Sequence, residues 1–270
     1  MASFFSSFLS AVLGHRLADI NNKPTAAGAA VYSPVFLNIV YDRLVLGLYC
    51  TYVWRCPAAI IEHLYQKLLQ QPESGLDPRS NNIRILDIGV GTGYFVANTD
   101  PLSEDTSVTL FDLNPACLET ASARCRAAHP GVEVRTVCGD FLAPASSDIR
   151  SNSIHTLLPP TQSRFTHIFT TMLLHCLPGP PSRKAAALCS LAQHVEPKNG
   201  VLAGVTILGK GVRHSLMGRF IMFWHNALGM FDNAQDDVME IIRPLEDVFV
   251  DVQWRVVGTI LLFEARGPKL

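Results

Sequence analysis

The sequence predicts an α/β protein built on an open, largely parallel sheet, and three observations carry that reading. Ile83, Ile85, Leu86 and Ile88 form a short apolar run, as expected of a strand buried on both faces. Three glycines at alternate positions follow at once: Gly89, Gly91 and Gly93. A second apolar run, Ser107 to Asp112, ends on an acid, and strand and helix patterns then alternate along the chain. Together the first two runs read as the first βαβ half of an open sheet, with a ligand at the carboxyl ends of its strands. Glycines there let a ligand lie against bare backbone, because no Cβ intervenes.

The ligand class is narrowed by what the turn lacks. A dinucleotide fingerprint needs a third glycine where this chain has Tyr94, and a P-loop needs a lysine that does not follow. What remains is Asp87-x-Gly-x-Gly-x-Gly93 with Asp112 at the end of the second strand. This pattern and spacing resemble motif I of the class I S-adenosylmethionine (SAM) methyltransferases. Asp112-Leu-Asn-Pro is similar to the acidic motif that follows it. Gly139-Asp140-Phe141 closes the third strand, where that family places an acid near the adenine. Thr171-Met-Leu-Leu-His-Cys-Leu-Pro-Gly179 resembles the motif IV region of ubiquinone-biosynthesis-like small-molecule methyltransferases. Tyr41-Asp42, Trp54-Arg-Cys-Pro57 and Gly211-Val-Arg-His214 resemble segments of a closer subgroup, so the likeness spans roughly 32–266.

The resemblance implies a three-layer, Rossmann-like, seven-stranded, mostly parallel sheet with an antiparallel end, plus a helical N-terminal cap. It implies SAM as cofactor, held by Asp87, Gly89, Gly91, Gly93, Asp112, Leu113, Asn114, Asp140, Phe141, Thr171 and Met172. In this division 1–31 is a lid or linker, 32–82 a helical cap and 83–270 the α/β core. An ionised carboxylate only accepts hydrogen bonds, so Asp112 suits two vicinal ribose hydroxyls. Asp87 would orient the glycine turn and reach the methionine amine. Asp140 would bond the adenine amino group, with Leu113 and Phe141 as apolar faces. Asn114 has a second reading as a helix cap before Pro115.

Composition agrees with a small-molecule enzyme. The 270 residues are 48% hydrophobic and carry a net charge of −1. The 22 Lys and Arg are scattered, which argues against a nucleic-acid partner. Seven cysteines, an odd number without a C-x-x-C pair, read as reduced thiols in a cytoplasmic protein with no metal site. Stable membrane insertion is not expected, and a monomer or homodimer is.

Residues 1–14 alternate Phe4, Phe5, Phe8, Leu9, Val12 and Leu13 with serines at helical spacing, too short to span a bilayer. They read as a lid or packing helix, and 16–31 as a linker. The aromatic stretch 32–54 suits a cap over cofactor and substrate. Pro57 opens a helix whose stripe is Ile60, Ile61, Leu64, Leu68 and Leu69. The helix after Pro115 turns Leu118, Ala121 and Cys125 inward, and Val132–Cys138 is the third strand. The Ser- and Pro-rich stretch 142–164 reads as a surface insertion carrying a short helix at most. Strands are expected at 165–170 and 201–208, helices at 180–195, 212–228 and 236–242, and final strands at 248–252 and 256–263.

Methyl transfer from a sulfonium is an in-line displacement, so the protein must chiefly align donor and acceptor and exclude water. A base is needed only if the nucleophile arrives protonated. His175, in the motif IV segment, is the candidate catalytic residue, with a satisfied core histidine as the alternative. Tyr41, Arg55, His175, His214, Trp224 and His225 are candidates for the substrate pocket. The function expected is methylation of a hydroxyl, carboxyl or amine on a small, rather apolar molecule such as a secondary metabolite. Two other readings share the motifs: a SAM-dependent cyclisation or rearrangement, and a non-catalytic binding protein.

Overall fold

The computed structural model describes residues 46–70, 83–144, 148, 150–160 and 164–269. The segment expected as lid and linker, and Tyr41, lie outside them.

Seven strands form one sheet in the order β3-β2-β1-β4-β5-β7-β6. They are β1 (Arg84–Ile88), β2 (Ser107–Asp112), β3 (Glu133–Cys138), β4 (His167–Thr171), β5 (Val201–Ile207), β6 (Phe249–Val257) and β7 (Ile260–Pro268). The first five run parallel, and β7 is antiparallel to both β5 and β6. The strand order reverses between β1 and β4, the switch point at which such sheets leave a crevice.

Alternation along the strands divides the core in two. Ile85, Val108, Leu110, Val201, Ala203, Val205 and Leu262 face one layer of helices. That layer includes α1 (Ala58–Gln70), through Ile61, Leu64, Tyr65 and Leu68, and α3 (Pro115–Ala128), through Leu118, Ala121 and Cys125. Between them in sequence lies the single turn α2 (Tyr94–Ala97). Leu86, Ile88, Ile168, Leu202, Leu261 and Phe263 face the other layer. There Leu188 of α5 (Pro181–Ser190) packs with Ile241, Ile242 and Leu245 of α7 (Val238–Val248). Successive side chains of a strand point to opposite faces, so a run that is apolar throughout serves both layers.

Several boundaries differ from expectation. The stretch 142–164 is not wholly at the surface: the short helix α4 (Ile154–Leu157) buries Ile154, and Ser153 and Leu158 are buried beside it. α7 runs six residues past Ile242, carrying Pro244 in its interior. Proline lacks the N–H of a helical ladder, which is why the pattern reads as ending there. The last two strands meet at a two-residue turn, Gly258-Thr259, rather than near residue 254. β6 is the edge strand, and its exposed Asp251, Gln253 and Arg255 hide the strand pattern.

The cap is held by specific ties. Residues 46–53 are wound as a wide π-helix. Trp54 N–H reaches back to Tyr49 O at 2.8 Å, and Trp54 O accepts from Thr259 N–H at 2.9 Å in the β6–β7 turn. α6 (Leu216–Ala227) begins at Ser215, whose hydroxyl accepts from Gly218 N–H. Behind it Lys184 Nζ is fully buried, 2.7 Å from Asp236 Oδ2 and 2.6 Å from Asp232 O. Among the described residues no helix is long and apolar enough to cross a membrane.

Candidate active site

The glycine turn sits at the ends of β1 and β2. Gly89, Gly91 and Gly93 have φ of +72°, +53° and +70°, the left-handed region that glycine enters without strain. They differ in what surrounds them. A Cβ on Gly89 would stand 2.5 Å from Leu173 Cδ1, and one on Gly93 would stand 2.8 Å from the Ala121 backbone. A Cβ on Gly91 would meet nothing within 4 Å. The outer two glycines therefore pack the turn onto β4 and α3, and the middle one presents bare backbone to open space.

Two carboxylates flank that space. Asp112 Oδ1 accepts from Asn114 N–H at 2.8 Å, and Oδ2 faces Gly91 N–H at 3.4 Å. Burial pushes its pKa up to about 6, opposed by the main-chain N–H groups of Asn114, Gly91, Leu113 and Val90. Asp87 is buried, and desolvation lifts its carboxyl to about 7; the Tyr65 hydroxyl opposes this and the charge of Asp112 adds to it. Tyr65 O–H lies 3.3 Å from Asp87 Oδ1 and accepts from Thr171 Oγ1 at 3.1 Å. Two adjacent carboxylates, Asp87 buried and Asp112 half-buried, make this a place for positive charge.

At the neighbouring strand end, Asp140 Oδ1 accepts from Leu142 N–H at 2.9 Å, beside buried Phe141. Leu113 is largely exposed. Asn114 does cap α3, its Oδ1 accepting from Ala116 N–H at 3.0 Å. Met172 has a φ of +56°, rare for a residue with a Cβ, and its N–H bonds Val205 O at 2.8 Å. Such backbone clusters at working sites.

Three of the candidate histidines gather across the switch point. His175 stands edge-on to Phe231 at 4.6 Å, and His225 lies against the same ring at 4.7 Å. Trp54 is 6.2 Å from Phe231, and His214 stands edge-on to Trp54 at 6.3 Å. They differ in chemistry. The buried His175 has only Thr206 Oγ1 near Nδ1, at 3.5 Å, and desolvation, aided by the charge of Lys184, lowers its pKa to about 3. That environment suits the packing role better than the catalytic one. His225 Nδ1 lies 2.8 Å from Ile221 O, which fixes the proton there and leaves Nε2 as the lone-pair nitrogen. Both ring nitrogens of His214 are buried without a well-formed hydrogen bond among the described residues; the Leu208 and Gly209 backbones lie near and oppose the lowering of its pKa by burial. Arg55, at φ +57°, donates from Nη2 to Arg213 O, pinning the cap to the approach of α6. Trp224 is 46% exposed and packs on Phe220 and Phe223, so it is apart from the cluster.

Comparison with known proteins bears on this arrangement. A family model described as a methyltransferase domain matches residues 85–198. The physcion biosynthesis cluster O-methyltransferase of Aspergillus chevalieri is 34% identical over 250 residues, covering 92% of this chain and 98% of its own. The chain belongs to the class I SAM-dependent methyltransferase family. Methyltransferase verB of Penicillium polonicum is 32% identical over 241 residues, covering 85% of this methyltransferase and 93% of that relative. Among solved structures, the carbon methyltransferase CurJ superposes with a TM-score of 0.59 at 14% identity. It is matched by 97% of this chain, which spans 66% of CurJ, and at that identity the likeness speaks for the fold.

The methyltransferase thus brings Asp87, the three glycines, Asp112, Leu113, Asp140 and Phe141 to one end of the sheet. Two residues escaped the sequence reading. Tyr65 sits in an apolar helical stripe, where only its hydroxyl hinted at a buried polar partner. Phe231 lies in the loop after α6, where no periodic pattern marks it.

Proposed function

We propose that this enzyme transfers a methyl group from SAM to a hydroxyl of a small, largely apolar molecule. The observation that carries the reading is the paired arrangement of the two carboxylates beside Gly91 and the histidine–aromatic cluster opposite. The residues fit the cofactor: open backbone at Gly91, one carboxylate for a pair of vicinal hydroxyls and one for an ammonium, and the exposed apolar side chain of Leu113.

Bound there, SAM supplies an electrophilic methyl group on a sulfonium. Asp112 holds the ribose hydroxyls, and Asp87, ionised, holds the ammonium of the methionine end. Asp140 accepts from the adenine amino group through the oxygen that Leu142 leaves free, between Leu113 and Phe141. Phe231, backed by the buried Trp54, gives the acceptor an apolar bed and excludes water. His225 Nε2 takes the hydroxyl proton, while Nδ1–H stays on Ile221 O. His214, whose nitrogens make no well-formed bond, is placed to hold a second polar group of the acceptor through one of them. His175 packs under Phe231 and keeps that ring in place.

The relatives named O-methyltransferases support an oxygen acceptor over a nitrogen one. The test is incubation with methyl-labelled SAM and a panel of phenols, aliphatic alcohols, carboxylic acids and amines. Label recovered on a hydroxyl oxygen is expected. Label on nitrogen or carbon, or product without label, would overturn the reading.

A further inference from the structure

Tyr65 is the one large polar side chain sunk wholly into the floor of the cofactor end, and no step above uses it. It is fully buried. Its ring is stacked on Phe169 of β4, centroids 3.9 Å apart and 12° from parallel, and lies against Phe95 at 5.5 Å and 20°. Those two contacts leave the ring no freedom to swing. The hydroxyl is therefore delivered to one point, between the ends of β1 and β4. There it takes a hydrogen bond from Thr171 Oγ1 at 3.1 Å and faces Asp87 Oδ1 at 3.3 Å.

The direction of this relay follows from the donors. A phenol has one proton, and Thr171 uses its own proton on the Tyr65 oxygen. The Tyr65 proton is thereby turned toward Asp87. Among the described residues nothing bonds Asp87 Oδ2. One carboxylate oxygen is anchored from below, and the other is left for a ligand.

We propose that Tyr65 is a positioning residue for the cofactor's methionine end, holding Asp87 oriented and ionised so that its free oxygen meets the ammonium. The inference rests on the assignment of Asp87 to the ammonium made above and goes beyond it. It makes an internal helix of the cap, α1, a part of the cofactor site. Three other groups bear on Asp87: Asp112 from β2, whose charge opposes its ionisation; Cys125 from α3, coupled to it electrostatically; and Thr171 from β4, which acts through Tyr65. Asp112 and burial favour the protonated acid, and the Tyr65 hydroxyl is what opposes them. Without that hydroxyl Asp87 would be protonated over more of the neutral range and could not pair with a cation.

Tyr65→Phe keeps both ring stacks and removes only the hydroxyl. Calorimetric titration of SAM into wild type and variant, from pH 6 to pH 9 in buffers of differing ionisation enthalpy, reads the effect directly. The variant should bind SAM about tenfold more weakly near pH 6.5 and approach wild-type affinity near pH 9, since a hydrogen bond to a charged group is being lost. It should release more protons on binding at pH 7 than wild type does. Thr171→Val should move the profile in the same sense by a smaller factor, about threefold. In turnover the KM for SAM should rise while kcat holds.

A purely structural role for Tyr65 would lower affinity equally at every pH and leave proton release unchanged, and that result overturns the proposal. So does a Tyr65→Phe profile that superimposes on wild type. Failure of the wild-type protein to bind SAM would overturn the cofactor assignment itself, a separate outcome. Thermal melting of the ligand-free variants shows that they are folded.

Discussion

The two ends of the reaction crevice are built in opposite ways. At the cofactor end, backbone does much of the holding: Asp112 is fixed by main-chain N–H groups, and the glycine turn is packed on Leu173 and Ala121. At the acceptor end side chains do it: Trp54, His214, His225, Phe231 and His175 lie against one another from four separate segments. The electrostatics are opposed as well. Burial raises the carboxylates Asp87 and Asp112 toward neutrality and lowers the histidines His175, His214 and His225. Both shifts favour the uncharged form. On the proposed assignment, one end is ready to gain charge when a cation arrives, and the other is kept neutral so that a base can accept a proton.

The comparison breaks most visibly behind the acceptor end. Lys184 and Asp236 are wholly buried and hold the loop that carries Phe231. Lys184→Met leaves Asp236 and the Asp232 carbonyl without their partner and should cost about 3–5 kcal/mol of stability, measured by urea unfolding. Pairing it with Asp236→Leu should recover much of that loss. No recovery would mean that the loop is held by Asn233, through Ile207 O and Asn226, rather than by the ion pair.

His225→Ala should reduce turnover by about 10²-fold or more while SAM affinity stays within about twofold. Because burial lowers the His225 pKa, the base is neutral at pH 7, and the rate should fall only as pH drops below the ordinary histidine value of roughly 6.5. His175→Gln should keep that profile. If His175→Gln removes the acid limb and His225→Ala does not, the two histidines exchange roles.

Asp112→Ala acts on the other end alone. Loss of hydrogen bonds to ribose, with loosening of the Gly91 and Asn114 contacts, should weaken SAM by at least about tenfold and leave ligand-free stability little changed.

Asp87→Asn gives the smallest effect and the sharpest contrast. A carboxyl whose folded pKa lies near 7, above its unfolded value, makes its contribution to stability at low pH and loses it as pH rises through 7. Above pH 7 the folded protein carries an ion it disfavours. Asp87→Asn should therefore melt about 4 °C higher than wild type at pH 8 without ligand, and no higher at pH 4. SAM should stabilise it less than it stabilises wild type. Equal melting temperatures at pH 8 would show that Asp87 is not held under strain.

How much was legible follows the same division. The cofactor end is contiguous in sequence: Asp87 to Gly93 is one turn, Asp112 to Asn114 one strand end, and each carries its geometry in its residue types. Only glycine enters φ near +60° freely, and Asn before Pro is a helix start wherever it occurs. The acceptor end draws on 46–56, 175, 206–214 and 221–231, whose meeting depends on how α6 and the cap fold back over β4 and β5. No local pattern distinguishes His175 from His225. The difference is that His175 lies beneath Phe231 near Lys184, whereas His225 has a carbonyl of its own helix to hold its proton.

By itself, then, the sequence determined the α/β class, the first βαβ half, the glycine turn and the acids around it, because period, turn chemistry and capping are properties of a few neighbouring residues. Only the tertiary structure decided which histidine keeps a free nitrogen, that Phe231 joins the cluster, and that Tyr65 stands under Asp87. The last two rest on contacts between residues 22 to 177 positions apart, brought together by burying the two faces of the sheet; the His225 proton is held within its own helix, but its place against Phe231 beside His175 is tertiary. The apolar pattern says that a face will be covered. It does not say which side chain from the covering layer will lie against which atom of the site.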